Sequence, residues 1–154
     1  MNRALRIPLL CVASFLLAGC TGMIPVYNIS YEPVGNGLTQ EQVGHAIETG
    51  AAAVGWRTNV VSPGQILATY NIRSHTVMVD ISYTDGYYSI DYSNSIEMKI
   101  KCPQDVRDPR KPARVSDGDP GICGPGKLPS EIHGNYKGWI DTLNSAIKAA
   151  TRQA

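Results

Sequence analysis

Apolar and polar residues alternate over residues 66–92, and this period of two constrains the fold more than any other feature of the sequence. Such alternation is typical of β-strands that bury one face. Asp85-Gly86 has the composition of a two-residue hairpin turn, and Pro63-Gly64 suits a type II turn. The pattern predicts an antiparallel meander of about five strands, over residues 56–61, 66–72, 75–83, 87–92 and 96–101.

An amphipathic helix is predicted on each side of the meander. Thr39 and Gln42 form a capping box where the first helix begins, and Gly55 is placed to end it. The second helix is predicted to begin near Ser130. Its apolar stripe consists of Ile132, Tyr136, Trp139, Ile140, Leu143 and Ile147. The order helix, meander, helix predicts an α+β fold with the N-terminal and C-terminal helices packed on one face of the sheet.

Pairing through the predicted turns divides the strand residues between a face covered by the helices and an open face. The covered face is predicted to carry Ile66, Ala68, Tyr70, Ile72, Val77, Val79, Ile81, Ile90, Tyr92, Ile96 and Met98. The first strand fits this register less well, because direct pairing across Pro63-Gly64 turns Asn59 inward and Val60 outward. We therefore expect a β-bulge in the first strand.

Three acidic residues are expected to form a row on the open face. The two-residue hairpin turn places Asp80 opposite Asp91, and a further turn at residues 93–95 would place Glu97 beside Asp91. Like charges directly opposite one another destabilise a sheet. One interpretation is that nearby cations neutralise the row, and the other is a face that binds a cation or a basic partner.

The N-terminus has the pattern of an exported and lipid-anchored bacterial protein. Arg3 and Arg6 precede an apolar run that is about half as long as the ~20 residues of a membrane-spanning helix, which is typical of a secretory signal. Leu17-Ala18-Gly19-Cys20 resembles the bacterial lipobox, in which the chain is cut before the cysteine and the cysteine receives lipid. The alternative is an ordinary signal peptide in which Cys20 is incidental.

The lipobox fixes the expected organisation of the chain. Residues 1–19 are predicted to be a lipoprotein signal peptide, residues 20–37 a lipidated N-terminus and tether, and residues 38–154 a single α+β domain. Acyl chains such as palmitate on Cys20 would anchor the protein firmly, because each buried methylene contributes ~0.8 kcal/mol. The residue after Cys20 is Thr21 rather than the aspartate that often retains such proteins at the inner membrane, which favours the outer membrane.

Cys102 and Cys123 are the two cysteines that remain once Cys11 is removed with the signal and Cys20 carries lipid. Two thiols in an oxidising compartment such as the periplasm are expected to pair. The intervening segment 103–122 is rich in proline, glycine and charge and shows no periodicity. The sequence therefore predicts a loop stapled by a disulfide. A metal site is the alternative, although no CxxC pair or histidine cluster supports it.

No arrangement in the sequence predicts an enzyme. Ser74 and His75 are only adjacent along the chain, and no GxSxG elbow occurs. His45, His75 and His133 lie on separate elements, so no metal site is expected. We interpret His75 as a turn residue and His133 as a helix-end residue. The covalent lipid on Cys20 is the one attached group that the sequence predicts.

The charge balance narrows the classes of partner. The formal net charge is +1, and it becomes −1 when Arg3 and Arg6 are removed with the signal. The chain has no basic stripe that could follow a phosphate backbone. Nucleic acid is therefore not an expected partner.

Five short stretches carry a resemblance. They are GW at 55–56, PGxIxA at 63–68, RxH at 73–75, YSIxY at 88–92 and IHxNYxxW at 132–139. Together they resemble a family of uncharacterised proteobacterial lipoproteins. The resemblance covers roughly residues 39–143 and departs at segment 103–122, which looks like an insertion. It implies the envelope location and the fold, and it implies no activity.

Two functions are compatible with these features. The first is a non-catalytic envelope module, anchored to the membrane by lipid, whose sheet face or stapled loop contacts another envelope protein, peptidoglycan or a small ligand. The second is an inhibitor of an envelope enzyme, in which the disulfide holds segment 103–122 ready for insertion into a cleft, since a rigidified loop binds at lower entropic cost.

Overall fold

The computed structural model describes residues 22–35, 37–103, 115–116, 123 and 127–154. In chain order the elements are β1 (Met23–Pro25), β2 (Ile29–Pro33), α1 (Gln40–Ala53), β3 (Arg57–Ser62), β4 (Gln65–Ile72), β5 (His75–Tyr83), β6 (Tyr87–Ile96), β7 (Ile100–Lys101), β8 (Val115–Ser116), β9 (Glu131–His133) and α2 (Asn135–Thr151). The predicted signal peptide, Cys20 and most of segment 103–122 lie outside the described residues.

The main sheet has five antiparallel strands in the order β2-β6-β5-β4-β3. Strands β3 to β6 are the predicted meander, and the two helices pack on one face of it, so the α+β prediction is confirmed. Strand β2 adds an edge beside β6. Within segment 20–37, which includes the expected tether, residues 23–25 and 29–33 form strands.

The two helices form the second layer. The capping box predicted at Thr39 and Gln42 is present, with the Thr39 hydroxyl accepting from the Gln42 N–H and the Gln42 side chain accepting from the Thr39 N–H. Gly55 has φ +85°, which lets the chain leave α1 and enter β3. Helices α1 and α2 then pack against each other above the buried residues of the sheet.

Bulges decide which face several strand residues occupy. The bulge expected in β3 is present between Val60 and Ser62. A second irregularity lies where β5 pairs with β6, because Met78 pairs with Asn94 while Val79 pairs with Tyr92. The extra β6 residue reverses the alternation beyond it, so Ser95 is fully buried and Ile96 is 42% exposed. The prediction that Ile96 faces the helices is therefore wrong.

The C-terminal part of the meander also differs from the prediction. Strand β6 continues through residues 93–95 to Ile96, where a turn had been expected. The chain leaves the sheet at Glu97, which has φ +55°, and the predicted strand 96–101 is reduced to β7. The strand continues because Asn94, Ser95 and Ile96 pair with β5, and the buried Ser95 hydroxyl is satisfied by that of Tyr92.

A second, smaller sheet has the order β1-β9-β7-β8 and was not predicted. Its strand β9 occupies residues where the last helix had been expected to begin, and α2 starts only at Asn135. Ile132 pairs with Ile24 on one side and with Ile100 on the other. Ile132 is therefore completely buried as a strand residue of β9, whereas the other residues of the predicted stripe lie on α2.

The edge strand β2 is tied to α2 by a polar network. Lys148 forms an ion pair with Glu32 at 2.7 Å, and the Asn144 amide donates to the same carboxylate at 3.3 Å. The Tyr88 hydroxyl donates to the Asn144 side-chain oxygen at 2.6 Å. The hydrogen bond from Lys148 holds the pKa of Glu32 below its usual value.

Neither helix in the described part of the chain is long and apolar enough to cross a bilayer.

The contact between the helices gives a test of the packing. A methyl group added at Gly50 would lie 2.8 Å from the Ala146 carbonyl oxygen and 2.8 Å from Ile147 Cα. We expect Gly50→Ala to lower the free energy of unfolding by roughly 1–3 kcal/mol, as overpacking does.

Gly138→Ala is the matched control, since nothing lies within 4 Å of an added methyl there. It should stabilise α2 by about 0.5–1 kcal/mol through helix propensity. Urea unfolding of both variants measures the difference. Equal effects of the two substitutions would contradict the close approach of α1 and α2.

Candidate functional site

Five rings form a continuous row at the end of the main sheet where β4 turns into β5, and we name them the ring row. Trp56 stacks on Tyr70 with ring centroids 5.1 Å apart, and Tyr70 contacts Trp139 at 5.7 Å. His75 lies 6.4 Å from Trp139, and His133 stacks on His75 at 6.1 Å. The row joins residues that are far apart in the sequence.

Each ring is positioned at or near the end of an element. Trp56 follows the glycine that ends α1, and Tyr70 and His75 lie on either side of the β4–β5 turn. His133 is the last residue of β9, and Trp139 lies in the second turn of α2. The rings meet because these element ends converge at one end of the domain.

The ring row has a buried part and an accessible part. Trp56 is only 3% exposed and belongs to the core, whereas Tyr70, His75, His133 and Trp139 are half-buried. The buried part fixes the position of the accessible rings. Such rings offer an apolar surface for stacking together with polar edges for hydrogen bonding.

Hydrogen bonds to the backbone orient both imidazoles. The Nδ1 atom of His75 lies 2.6 Å from the carbonyl oxygen of Glu97 and donates to it. The Nδ1 atom of His133 accepts from the Asn135 N–H at 3.3 Å. Burial lowers the pKa of His133 below its usual value, and the neighbouring His75 and Lys99 lower it further. His133 is therefore neutral at neutral pH.

The third histidine is elsewhere. His45 is exposed on α1 and borders a shallow surface depression with Thr49, Ala150 and Gln153. Within the described ranges no group of three or more histidine, cysteine, aspartate or glutamate side chains could hold a metal ion. The stacked rings of His75 and His133 remain available for stacking on a ligand and for hydrogen bonding.

The open face of the main sheet carries the predicted acidic pair. Asp80 and Asp91 lie directly opposite each other, and both are exposed. Partial burial raises the pKa of Asp91, and the charge of Asp80 raises it further. In the part of the chain that the structure describes, neither carboxylate belongs to an ion pair. Among the described residues, no ion pair offsets the repulsion between these two charges.

Glu97 does not extend this pair. It lies beyond the end of β6, and its backbone carbonyl bonds His75 near the ring row. The expectation that Glu97 pairs with Asp91 is wrong because β6 continues through the residues of the predicted turn.

Two tyrosines share the open face with the acidic pair. The rings of Tyr31 and Tyr87 contact each other with centroids 5.3 Å apart, and the two side chains are 73% and 41% exposed.

The disulfide predicted between Cys102 and Cys123 is present, with 5.3 Å between the two Cα atoms. It joins the residue after β7 to the segment before β9. Most of the loop that it closes lies outside the described residues, and so does Cys20.

The ring row was not predicted from the sequence. His75 was assigned to a turn, His133 to a helix end and Trp139 to a helix stripe, so each residue was expected to have a separate local role. A usable signal was present, since three of the quoted stretches, GW, RxH and IHxNYxxW, contribute four of the five rings.

No family model matches the chain, and neither the curated proteins nor the solved structures include a significant match. The resemblance to envelope lipoproteins therefore stays a prediction.

The low pKa of His133 predicts a loss of stability on acidification. Its folded-state pKa lies below the ordinary value of 6.5, so as the pH falls the unfolded chain protonates His133 at a higher pH than the folded protein does. Its contribution to stability is complete above about pH 6.5 and is lost as the pH falls through the folded-state pKa. We expect His133→Gln to reduce the drop in melting temperature between about pH 7.5 and about pH 5.5. The exposed His45→Gln variant should keep the drop, and an unchanged drop in His133→Gln would contradict the assignment.

The facing carboxylates predict a stabilising double substitution. Asp80→Asn combined with Asp91→Asn removes the repulsion between the strands and should raise the free energy of unfolding at neutral pH by up to ~1 kcal/mol. Chemical denaturation measures the gain, and high salt should reduce it because exposed charges are screened. A double variant that is no more stable than the parent in low salt would show that the facing carboxylates do not destabilise the sheet.

Proposed function

We propose that the protein is a bacterial envelope lipoprotein, anchored to the outer membrane through acyl chains on Cys20. The disulfide between Cys102 and Cys123 is the observation that carries the proposal. Disulfides form and persist in oxidising compartments and are rare in the cytosol. The basic start, short apolar run and lipobox at the N-terminus independently support export and supply the attachment point.

The short distance between the lipobox and the first strand also supports anchoring. Strand β1 begins at Met23, so only Thr21 and Gly22 separate Cys20 from the small sheet. Retaining the apolar signal so close to a β-strand would leave a long apolar segment against the folded domain. Cleavage before Cys20 removes that segment and leaves the lipid as the attachment.

We further propose that the α+β domain is a non-catalytic binding module and that its partner contacts the open face of the main sheet. Asp80 and Asp91 give this face two adjacent negative charges, and the tyrosine pair Tyr31–Tyr87 gives it aromatic surface. Tyrosine is among the residues most enriched in binding interfaces. The chemistry of the face suits a basic envelope protein, with peptidoglycan as the alternative ligand.

The inhibitor function stays a prediction. The disulfide fixes the base of segment 103–122. The residues that would enter the cleft of a target enzyme are mostly outside the described part of the chain. We favour the binding module because the open face combines two facing carboxylates with an exposed tyrosine pair.

The anchoring is tested at its attachment residue. Cys20→Ser removes the thiol that receives lipid, so we expect it to abolish labelling by radioactive fatty acid and to leave the protein unprocessed or released from the membrane fraction. Cys11→Ser is the matched control, because Cys11 lies within the signal segment, and it should be labelled as the parent is. Normal labelling of Cys20→Ser would refute the proposal.

A further inference from the structure

The position of β1 fixes where a lipid on Cys20 would attach to the domain. Met23 pairs with His133, so the chain enters the small sheet beside the last ring of the ring row. Consecutive Cα atoms are separated by at most ~3.8 Å, so the Cα of Cys20 lies within about 11 Å of the Cα of Met23. The lipid would therefore hold this end of the domain close to the bilayer.

The same end of the domain has a distinctive surface. We name it the His133 end and define it by Arg73, His75, Ile96, Lys99, His133 and Trp139. Arg73, Ile96 and Lys99 are exposed, and the three rings are half-buried. The His133 N–H donates to the Lys99 carbonyl at 3.0 Å, which places this lysine beside the entry of the chain. Two cations, an exposed isoleucine and an accessible tryptophan thus lie together with one exposed carboxylate, that of Glu97.

The opposite end of the domain carries acidic residues. Strand β5 runs from His75 to Tyr83, which at ~3.3 Å per residue separates the two ends of the strand by about 26 Å. The exposed Asp85 follows at the β5–β6 turn, and the exposed Glu41 begins α1 there, held near by the hydrogen bond of Gln40 to the Tyr83 carbonyl. Arg73 and Lys99 outnumber the exposed Glu97 at the end where the lipid would attach, whereas Asp85 and Glu41 outnumber the exposed Arg152 at the far end.

We propose that the His133 end is the membrane-contacting surface of the protein and that it lies on the headgroups of a bilayer containing anionic phospholipid. This inference rests on the proposed anchoring through Cys20. Arg73 and Lys99 face the anionic headgroups, to which basic residues near a membrane surface are attracted. Trp139 and the two imidazoles lie at headgroup level, where amphipathic rings are favoured.

This orientation leaves the proposed partner surfaces free. Strands β1 and β7 both run antiparallel to β9, so both lead away from the His133 end. Cys102 follows β7, so the stapled loop begins on the side of the small sheet that is away from the bilayer, and its strand β8 then runs back antiparallel to β7. The turn at Asp85 follows the far end of β5 and would lie away from the membrane.

The test measures which end of the anchored protein contacts the bilayer. Full-length lipidated protein is reconstituted into vesicles of phosphatidylcholine and phosphatidylglycerol that contain a nitroxide quencher on the lipid headgroup. A fluorescent label is placed at Ser74→Cys, beside Arg73 in the β4–β5 turn, or at Asp85→Cys, in the β5–β6 turn; both positions are exposed. We expect several-fold stronger quenching of the label at position 74. Equal quenching, or stronger quenching at position 85, would overturn the proposal.

The contribution of charge is tested by matched reversals. Lys99→Glu and Arg152→Glu each reverse one exposed cation, and Arg152 follows α2 at the end remote from His133. Lys99→Glu should weaken the quenching at position 74 in anionic vesicles, and Arg152→Glu should leave it unchanged. Vesicles of phosphatidylcholine alone should remove the difference. Equal effects of the two reversals would overturn the headgroup contact.

Flotation separates a failure of this inference from a failure of the anchoring. Protein that does not float with the vesicles lacks a functional anchor, which would refute the proposed function. Protein that floats but shows no difference between positions 74 and 85 is anchored, and only the membrane-contacting surface is then refuted.

Discussion

Burial of the central strand β5 is the interaction on which the rest of the domain depends. Val77, Val79 and Ile81 are fully buried, and they are held between two antiparallel neighbours and under the helical layer. Apolar area removed from water contributes roughly 25 cal/mol per Å², so the side of β5 that carries these residues must face the helices. This choice leaves Asp80 on the other face, and pairing then places Asp91 beside it.

The extra residue in β6 has consequences beyond the strand. It reverses the alternation, so that Ser95 is buried and Ile96 is exposed at the end of the sheet. The chain then turns sharply at Glu97 and continues into β7, which pairs with β9. This path brings the Glu97 carbonyl to His75 and the Lys99 carbonyl to His133, and so it completes the polar part of the ring row.

The distribution of side chains gives the domain two ends and one open face with different chemistry. The rings, Arg73 and Lys99 lie at the end where β1 begins, together with the carboxylate of Glu97; Asp80 and Asp91 lie on the open face, and Asp85 and Glu41 lie at the far end. This division would suit the proposed anchored binding module, in which one surface would contact the membrane and another would contact the partner. The disulfide between Cys102 and Cys123 closes the long connection between β7 and β9, and Cys102 lies beyond the end of β7 that is remote from His133.

Local patterns in the sequence determined most of the architecture. The alternation over residues 66–92, the Asp85-Gly86 turn and the capping box at Thr39 each act over a few residues, so they could be predicted without the fold. The pairing of Asp80 with Asp91 followed from the turn for the same reason. The small sheet, the extra residue in β6 and the ring row needed the tertiary structure. Ile132 fits a helix stripe and a strand equally well, and only its pairing with Ile24 and Ile100 selects the strand, because those contacts join residues far apart in sequence.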